Sequence, residues 1–186
     1  MYSQARRRVL TGIALACLAV GGYLLWPVVL HRTARAIVES RDVGVSAVKP
    51  GKTAPDFILS NAKGERLRLS AYKGKVVLLN FWATWCGPCK TEIPWFVDFE
   101  TQFQTRGFTV LGVSMDENGW KVINPYVAEH KINYPIVLAN EEVNELYGGI
   151  EALPTTLLIG KDGKVAFLHA GLISREEYEK EIRQLL

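Results

Sequence analysis

Hydrophobic and polar residues follow two spacings along this chain, and together they predict an alternation of strands and helices. The longest buried strand is predicted at 76–82, where only Asn80 interrupts a run of Val, Leu and aromatic residues. Residues 108–114 form a second core strand by the same criterion. Between them, residues 87–105 have helical spacing, and Gly107 follows as a stop signal. This alternation is typical of an α/β protein.

The remaining predicted elements are shorter and are separated by turn residues. A hairpin near the start of the folded region is followed by an irregular connection over residues 70–75. The later pattern ends in a helix that begins after Ser174, whose capping box includes Glu177. The predicted hairpin strands are 57–59 and 67–69, the helices 118–131 and 141–147, and the later strands 134–139, 153–159 and 165–169.

A long uncharged run near the amino terminus predicts a membrane anchor. Residues 9–30 carry no charge, and this length is enough for a helix to cross the hydrocarbon layer. The segment before the run is basic, which places the amino end in the cytoplasm. We therefore expect 1–8 to be a cytoplasmic terminus, 9–30 a transmembrane anchor, 31–50 a linker and 51–186 an extracytoplasmic domain.

Three other targeting signals fit the amino terminus less well. A cleaved signal peptide would have a shorter apolar core and an Ala-x-Ala site, and no clear one follows the run. The sequence RRRVL at 6–10 resembles a twin-arginine export signal, which would send the domain to the same side. A lipoprotein signal ending at Cys17 has too short an apolar stretch before it, so Cys17 is interpreted as a small apolar residue.

Charge and cysteine count exclude several classes of protein. The net charge of +3 comes from 22 basic and 19 acidic residues, and the three arginines at 6–8 account for the excess. No nucleic-acid partner is expected, since the rest of the chain is balanced. Three cysteines, one of them in the apolar run, cannot form a multi-disulfide scaffold.

The sequence CGPC at 86–89 lies where the first core strand gives way to a helix, and it predicts a redox-active pair. Free N–H groups and the helix dipole would stabilise a Cys86 thiolate, while Cys89 is one turn further on and able to attack a mixed disulfide. A zinc site is less favoured, because structural zinc needs four ligands and the chain otherwise offers Cys17 and three histidines. We expect neither a metal nor another cofactor.

These motifs resemble the membrane-anchored, thioredoxin-like proteins of bacteria that include TlpA, ResA and CcmG. The resemblance covers residues 50–186 and rests on four segments, namely APDF at 54–57, NFWATWCGPC at 80–89, EIP at 92–94 and LPTT at 153–156. It implies an α/β, thioredoxin-like fold with an N-terminal β-hairpin extension. The segment between Ser114 and Tyr147 then corresponds to a central helix–strand insertion.

The resemblance also implies roles at the site. Pro154 would be a cis-proline beside the cysteines, and Leu153 would offer its backbone to a substrate strand; the residues alone leave the isomer open, because most X–Pro bonds are trans. Trp85 would shield one side of the site, whereas Trp82 fits either the site or the core. The expected substrate-contacting residues are Trp85, Gly87, Pro88, Leu153 and Pro154.

Asn80 marks a departure from ordinary thioredoxins, which carry a buried aspartate six residues before the first cysteine. An amide cannot take up a proton as a carboxylate does. Glu92, three residues after Cys89 on the same helix face, resembles the glutamate of ResA-like proteins. It is either the group that assists proton movement at the cysteines or a solvated helix residue. His130 and His169 are assigned no role.

The sequence thus predicts a thiol–disulfide oxidoreductase on the periplasmic side of a bacterial cytoplasmic membrane. The Gly87-Pro88 pair resembles the reducing members of the class, which implies a transmembrane thiol donor as partner. Expected substrates are apocytochrome c cysteines or other exported thiol proteins. Open alternatives are a disulfide-forming or isomerising enzyme and a redox-regulated binding module that uses 153–155. A peroxiredoxin-like peroxidase is disfavoured, because its peroxidatic cysteine lies in a different motif.

Overall fold

The two strands predicted from the strongest apolar runs form the centre of the fold. The computed structural model describes residues 48–186. Its elements in chain order are β1 Ile58–Ser60, β2 Arg66–Arg68, β3 Val76–Trp82, α1 Gly87–Phe103, β4 Phe108–Ser114, α2 Trp120–Glu129, β5 Ile136–Leu138, α3 Glu141–Leu146, β6 Thr155–Ile159, β7 Val165–Ala170 and α4 Arg175–Leu185.

Five strands form a mixed sheet in the order β5-β4-β3-β6-β7, and β1 and β2 form a separate antiparallel hairpin. Strand β3 runs parallel to β4 and antiparallel to β6. This register places Asn80 opposite Thr156, and Thr156 in turn opposite His169 on β7. Because directly opposed residues share a face of the sheet, these three polar side chains form one row.

The two faces of the sheet are both covered, which explains why β3 is apolar at nearly every position. Leu78 and Trp82 belong to the cluster formed with α1, α2 and α4, whereas Leu79 and Phe81 pack with the hairpin and α3. Successive strand residues point to opposite faces. Asn80 therefore lies on the face that packs against α1.

The predicted fold class is confirmed, and four local predictions need correction. The connection over 70–75 is not wholly irregular, since a 3-10 helix spans Leu69–Tyr72. The first helix ends at Phe103 and continues as a 3-10 turn before Gly107 (φ 81°). Helix α2 is shorter than 118–131, and β5 is shorter than 134–139 because it pairs with β4 over three residues only.

None of the helices within residues 48–186 is both long and apolar enough to cross a bilayer. The anchor predicted at 9–30 lies outside the described residues, as do the amino-terminal segment 1–8 and nearly all of the linker.

Candidate active site

Cys86 and Cys89 form a disulfide at the start of α1, with an S–S distance of 2.06 Å and Cα atoms 5.3 Å apart. Cys86 is the N-cap of the helix, and its Sγ accepts a hydrogen bond from the backbone N–H of Cys89 at 3.2 Å. Pro88 lies in the first turn of the helix. Backbone N–H groups there have no intrahelical acceptor, so a proline at this position costs no hydrogen bond. The Cys86 sulfur thus occupies the positive end of the helix, as its position in the sequence predicted.

The two sulfur-bearing residues differ in access to solvent. Cys86 is 4% exposed and Cys89 is fully buried, while Gly87 and Pro88 between them are exposed. Trp85 is 69% exposed and lies next to Cys86 in the chain. An incoming group therefore meets Cys86 before Cys89.

The loop before β6 has the geometry that the resemblance implied. The Leu153–Pro154 peptide bond is cis. The Pro154 carbonyl accepts a hydrogen bond from the Gly171 N–H at 2.7 Å, which ties this loop to the end of β7. Leu153 packs against the core cluster that contains both cysteines.

Glu92 is fully buried, so the interpretation as a solvated helix residue was wrong. Its Oε1 accepts a hydrogen bond from Asn80 Nδ2 at 2.7 Å, and its Oε2 accepts one from the Tyr178 hydroxyl at 3.1 Å. The same Asn80 nitrogen donates to Thr156 Oγ1 at 3.0 Å. Strand β3 and helix α4 therefore each donate one hydrogen bond to the carboxyl group on α1, and Thr156 of β6 accepts from the same Asn80 amide.

Burial raises the pKa of Glu92 to about 8, although the hydrogen bonds from Tyr178 and Asn80 act in the opposite direction. Removal from water disfavours the charged carboxylate, and the donated hydrogen bonds recover part of that loss. Near neutral pH, Glu92 is therefore able to hold a proton or release one, as a group in proton transfer requires.

Asp116, which was not among the predicted site residues, organises the loop before the cysteines. This buried carboxylate accepts hydrogen bonds from Thr84 N at 3.0 Å, Thr84 Oγ1 at 2.6 Å and Ser114 Oγ at 2.8 Å. Thr84 directly precedes Trp85. A sequence signal existed, because the carboxyl ends of parallel strands β3 and β4 meet at one sheet edge and Asp116 follows β4.

The structure places two further residues, Trp82, which fitted either the site or the core, and His169, which was assigned no role. Trp82 is 1% exposed and belongs to the core, where its ring packs against Tyr126 at a centroid distance of 5.4 Å. His169 lies in the polar row of the sheet, and its Nε2 is 2.8 Å from Glu181 Oε2 on α4. In the part of the chain that the structure describes, neither side chain forms a hydrogen bond with Cys86 or Cys89.

A CXXC disulfide at the junction of a central strand and a helix, with a cis-proline at the start of the neighbouring strand, defines a thioredoxin-like thiol–disulfide oxidoreductase. Relatives and solved structures agree with this class. The family model described as the AhpC/TSA family matches residues 50–168. The chain is 34% identical over 186 residues to the thiol-disulfide oxidoreductase ResA of Geobacillus thermodenitrificans, covering 100% of this chain and 99% of that protein.

The ResA protein of Bacillus subtilis is 33% identical over 175 residues, covering 94% of this chain and 90% of its own length. A crystal structure of a thiol:disulfide interchange protein of the thioredoxin family, from Chlorobium tepidum, has a TM-score of 0.67 and 29% identity. That match covers 74% of this chain and 97% of the other. The chain belongs to the AhpC/TSA family and, within it, to the thiol–disulfide oxidoreductases of the ResA type.

Proposed function

We propose that this oxidoreductase reduces protein disulfides, with Cys86 as the nucleophile and Cys89 as the resolving thiol. The Cys86 thiolate attacks one sulfur of the substrate disulfide, forming a mixed disulfide and releasing the other sulfur as a thiolate. Cys89 then attacks the Cys86 sulfur and releases the second substrate thiolate. Two electrons pass to the substrate, and the enzyme is left with the Cys86–Cys89 disulfide.

One observation carries this assignment of roles. The Cys86 sulfur is the N-cap acceptor of α1 and is the more exposed of the two, whereas Cys89 is fully buried. A thiolate at a helix N-terminus is stabilised by the same N–H group and by the dipole. The attacking thiol needs both access to the substrate and a stabilised thiolate, while the resolving thiol needs only to reach Cys86.

Glu92 moves protons in this scheme. When a donor reduces the disulfide, Cys89 leaves as a thiolate, and protonated Glu92 returns a proton to it. When Cys89 later attacks the mixed disulfide, the Glu92 carboxylate takes that proton back. Burial beside Asn80 and a pKa near 8 support this role, since both protonation states are then accessible around neutral pH.

The substrate would bind across Trp85, Gly87 and Pro88 on one side of Cys86 and along Leu153 and Pro154 on the other. Exposure of Trp85 supports this placement, because a large apolar ring in water is typical of a contact surface. The backbone of Leu153 would pair with an extended segment of the partner protein.

The finer physiological role follows from the amino-terminal run and the reducing resemblance of the Gly87-Pro88 pair. The enzyme would be held by 9–30 in a bacterial cytoplasmic membrane, with its domain on the periplasmic side. A transmembrane thiol donor would reduce it again. Exported thiol proteins, among them apocytochrome c with its haem-attachment cysteines, would be its substrates.

Insulin reduction and the reduction potential together test the direction of the reaction. The full chain in detergent micelles should catalyse insulin disulfide reduction by dithiothreitol, and its potential should lie nearer the ~−270 mV of thioredoxin than the ~−120 mV of the oxidant DsbA. Absence of insulin reduction, together with a potential at the oxidising end, would instead assign a disulfide-forming role.

A further inference from the structure

Exposed lysines collect at the end of the sheet opposite to the cysteines. Strand β6 runs antiparallel to β3 and places Ile159 opposite Val77, so the turn that joins β6 to β7 lies at the amino end of β3. Lys73 and Lys75 directly precede β3. The exposed lysines that the fold brings together here, which we call the basic end, are Lys52, Lys73, Lys75, Lys161 and Lys164.

Backbone contacts join the three segments that carry these lysines. The Gly74 N–H donates to the Lys161 carbonyl at 3.0 Å, which ties the segment before β3 to the β6–β7 turn. Thr53, the residue after Lys52, forms a β-bridge with Lys164 of the same turn. The basic end is therefore a fixed part of the fold that presents five ammonium groups on one surface.

Few acidic groups balance this charge. Asp162 Oδ2 lies 3.6 Å from Lys164 Nζ, and both side chains are more than half exposed, so the ion pair is weak. Glu100 is buried, and burial raises the pKa of its carboxyl group, although the charge of Lys75 acts in the opposite direction. Within residues 48–186, the other four lysines form no salt bridge. The basic end thus carries an excess of positive charge, although the chain beyond its amino-terminal arginines is balanced.

We propose that the basic end docks on the anionic phospholipid headgroups of the membrane that holds the chain. Anionic lipids give a bilayer a negative surface potential, and each lysine close to that surface adds to the attraction. Phosphate groups are accepted partners of lysine ammonium groups. This inference rests on the membrane location proposed above, and it adds the surface of the domain that meets the lipid.

The proposed anchor allows a weak contact of this kind to be effective. A segment of 17 residues, 31–47, separates the anchor from the described domain and spans at most about 60 Å when extended. The domain therefore stays within reach of the bilayer surface. Tethering raises the effective concentration of headgroups around it, so several individually weak lysine contacts act together.

Docking by the basic end turns the redox site away from the bilayer. The seven residues of β3 separate the basic end from the CXXC turn by about 20 Å. Cys86 and the exposed Trp85 then face soluble partner proteins. Salt screens contacts between exposed charges over a range of about 8–10 Å, so docking is reversible and the domain can turn toward a transmembrane thiol donor.

Lysine acetylation of the full chain in proteoliposomes tests this orientation. One set of vesicles contains phosphatidylcholine only, and the other contains equal parts of phosphatidylcholine and phosphatidylglycerol. A membrane-impermeant reagent acetylates the amines, and mass spectrometry gives the rate at each lysine. In the anionic vesicles the lysines of the basic end should react about threefold more slowly, because the negative surface concentrates protons and keeps nearby amines in their unreactive ammonium form.

Lys90 and Lys121 are internal controls for the acetylation rates. They lie in the first turns of α1 and α2, which begin after the carboxyl ends of the parallel strands β3 and β4. Both should react at the same rate in the two kinds of vesicle. The double variant Lys73→Gln with Lys75→Gln should weaken the protection of the other three lysines of the basic end, whereas Lys90→Gln with Lys121→Gln should leave it unchanged.

Equal rates in the two kinds of vesicle, or an equal slowing at every lysine, would overturn the inference. Flotation with the neutral vesicles tests the anchor separately. A chain that floats with them but shows no protection in the anionic vesicles keeps the anchor and loses the docking surface. Protection in a chain that floats only with anionic vesicles would support the docking surface and refute the anchor.

Discussion

Asn80 and Glu92 are joined in the core by a 2.7 Å hydrogen bond between Nδ2 and Oε1, across the contact of the central strand with the redox helix. Ordinary thioredoxins place the buried acid on the strand, six residues before the first cysteine. Here the strand supplies an amide, and the helix supplies the carboxyl group. Both arrangements thus contain a buried carboxyl group, but in this protein it belongs to the helix that carries the cysteines.

Neutralising Glu92 should change how the stability of the oxidised protein depends on pH. Its pKa rises from 4.5 to about 8 on folding, so its contribution to stability is complete below pH 4.5 and is lost as the pH rises through 8. The loss is on the order of 5 kcal/mol, at about 1.4 kcal/mol per pH unit. Urea unfolding of Glu92→Gln should show a growing advantage over the unmodified protein between pH 5 and pH 9. A constant difference would contradict the burial of a titrating carboxyl group.

The same substitution should affect the thiols of the reduced protein. Without the Glu92 charge, repulsion between the carboxylate and the thiolates disappears, so Glu92→Gln should lower the thiol pKa values. It should also slow insulin reduction, because the proton acceptor for Cys89 is gone. Thiolate absorbance against pH measures the first effect.

Glu100→Gln is the matched control for the thiol titration. Glu100 is another buried glutamate of α1, but it accepts from the Val110 N–H and lies two turns further along the helix. Thiol titration and reduction rate should stay unchanged in this variant. If Glu92→Gln behaved in the same way, Glu92 would have no part in the chemistry.

Asp116→Asn should loosen the loop that carries Trp85 and Cys86. The carboxylate accepts three close hydrogen bonds, and an amide oriented for one of them turns its N–H₂ toward another donor. We expect a loss of stability of roughly 1–3 kcal/mol and faster amide exchange at Thr84, whose N–H is donated to Asp116. Glu117→Gln, on an exposed neighbour, is the control and should leave both unchanged. Unaltered exchange at Thr84 in Asp116→Asn would show that Asp116 does not hold this loop.

The anchor is tested by fractionation. We expect the intact chain in the membrane fraction and its folded domain open to protease added from the periplasmic side, because 9–30 is uncharged and long enough to span. A soluble mature protein that begins after about residue 25 would identify a cleaved signal peptide instead.

Patterns of apolar residues predicted the central strands and the redox turn well, because burial on both faces and a helix N-terminus leave direct signatures in sequence. The burial of Glu92 could not be predicted from such patterns. Its burial depends on Asn80, 12 residues away, and on Tyr178, 86 residues away, and neither contact has a local signature.

Asp116 was missed although its position after β4 was a signal in the sequence, because its contact with Thr84 also depends on how the strands pair. Its role follows from the register that sets Trp82 beside Ser114, and this register is a property of the assembled sheet.

Trapping of mixed disulfides tests the central assignment of Cys86 and Cys89 most directly. The full-length Cys89→Ser variant should accumulate disulfide-linked substrate proteins through Cys86, because the resolving thiol is absent. Cys86→Ser should trap none, because the buried Cys89 is out of reach of a partner protein. In reduced Cys89→Ser, the Cys86 thiol should ionise below the ~8.5 of a free cysteine. Mixed disulfides formed through Cys89 in the Cys86→Ser variant would contradict the assignment.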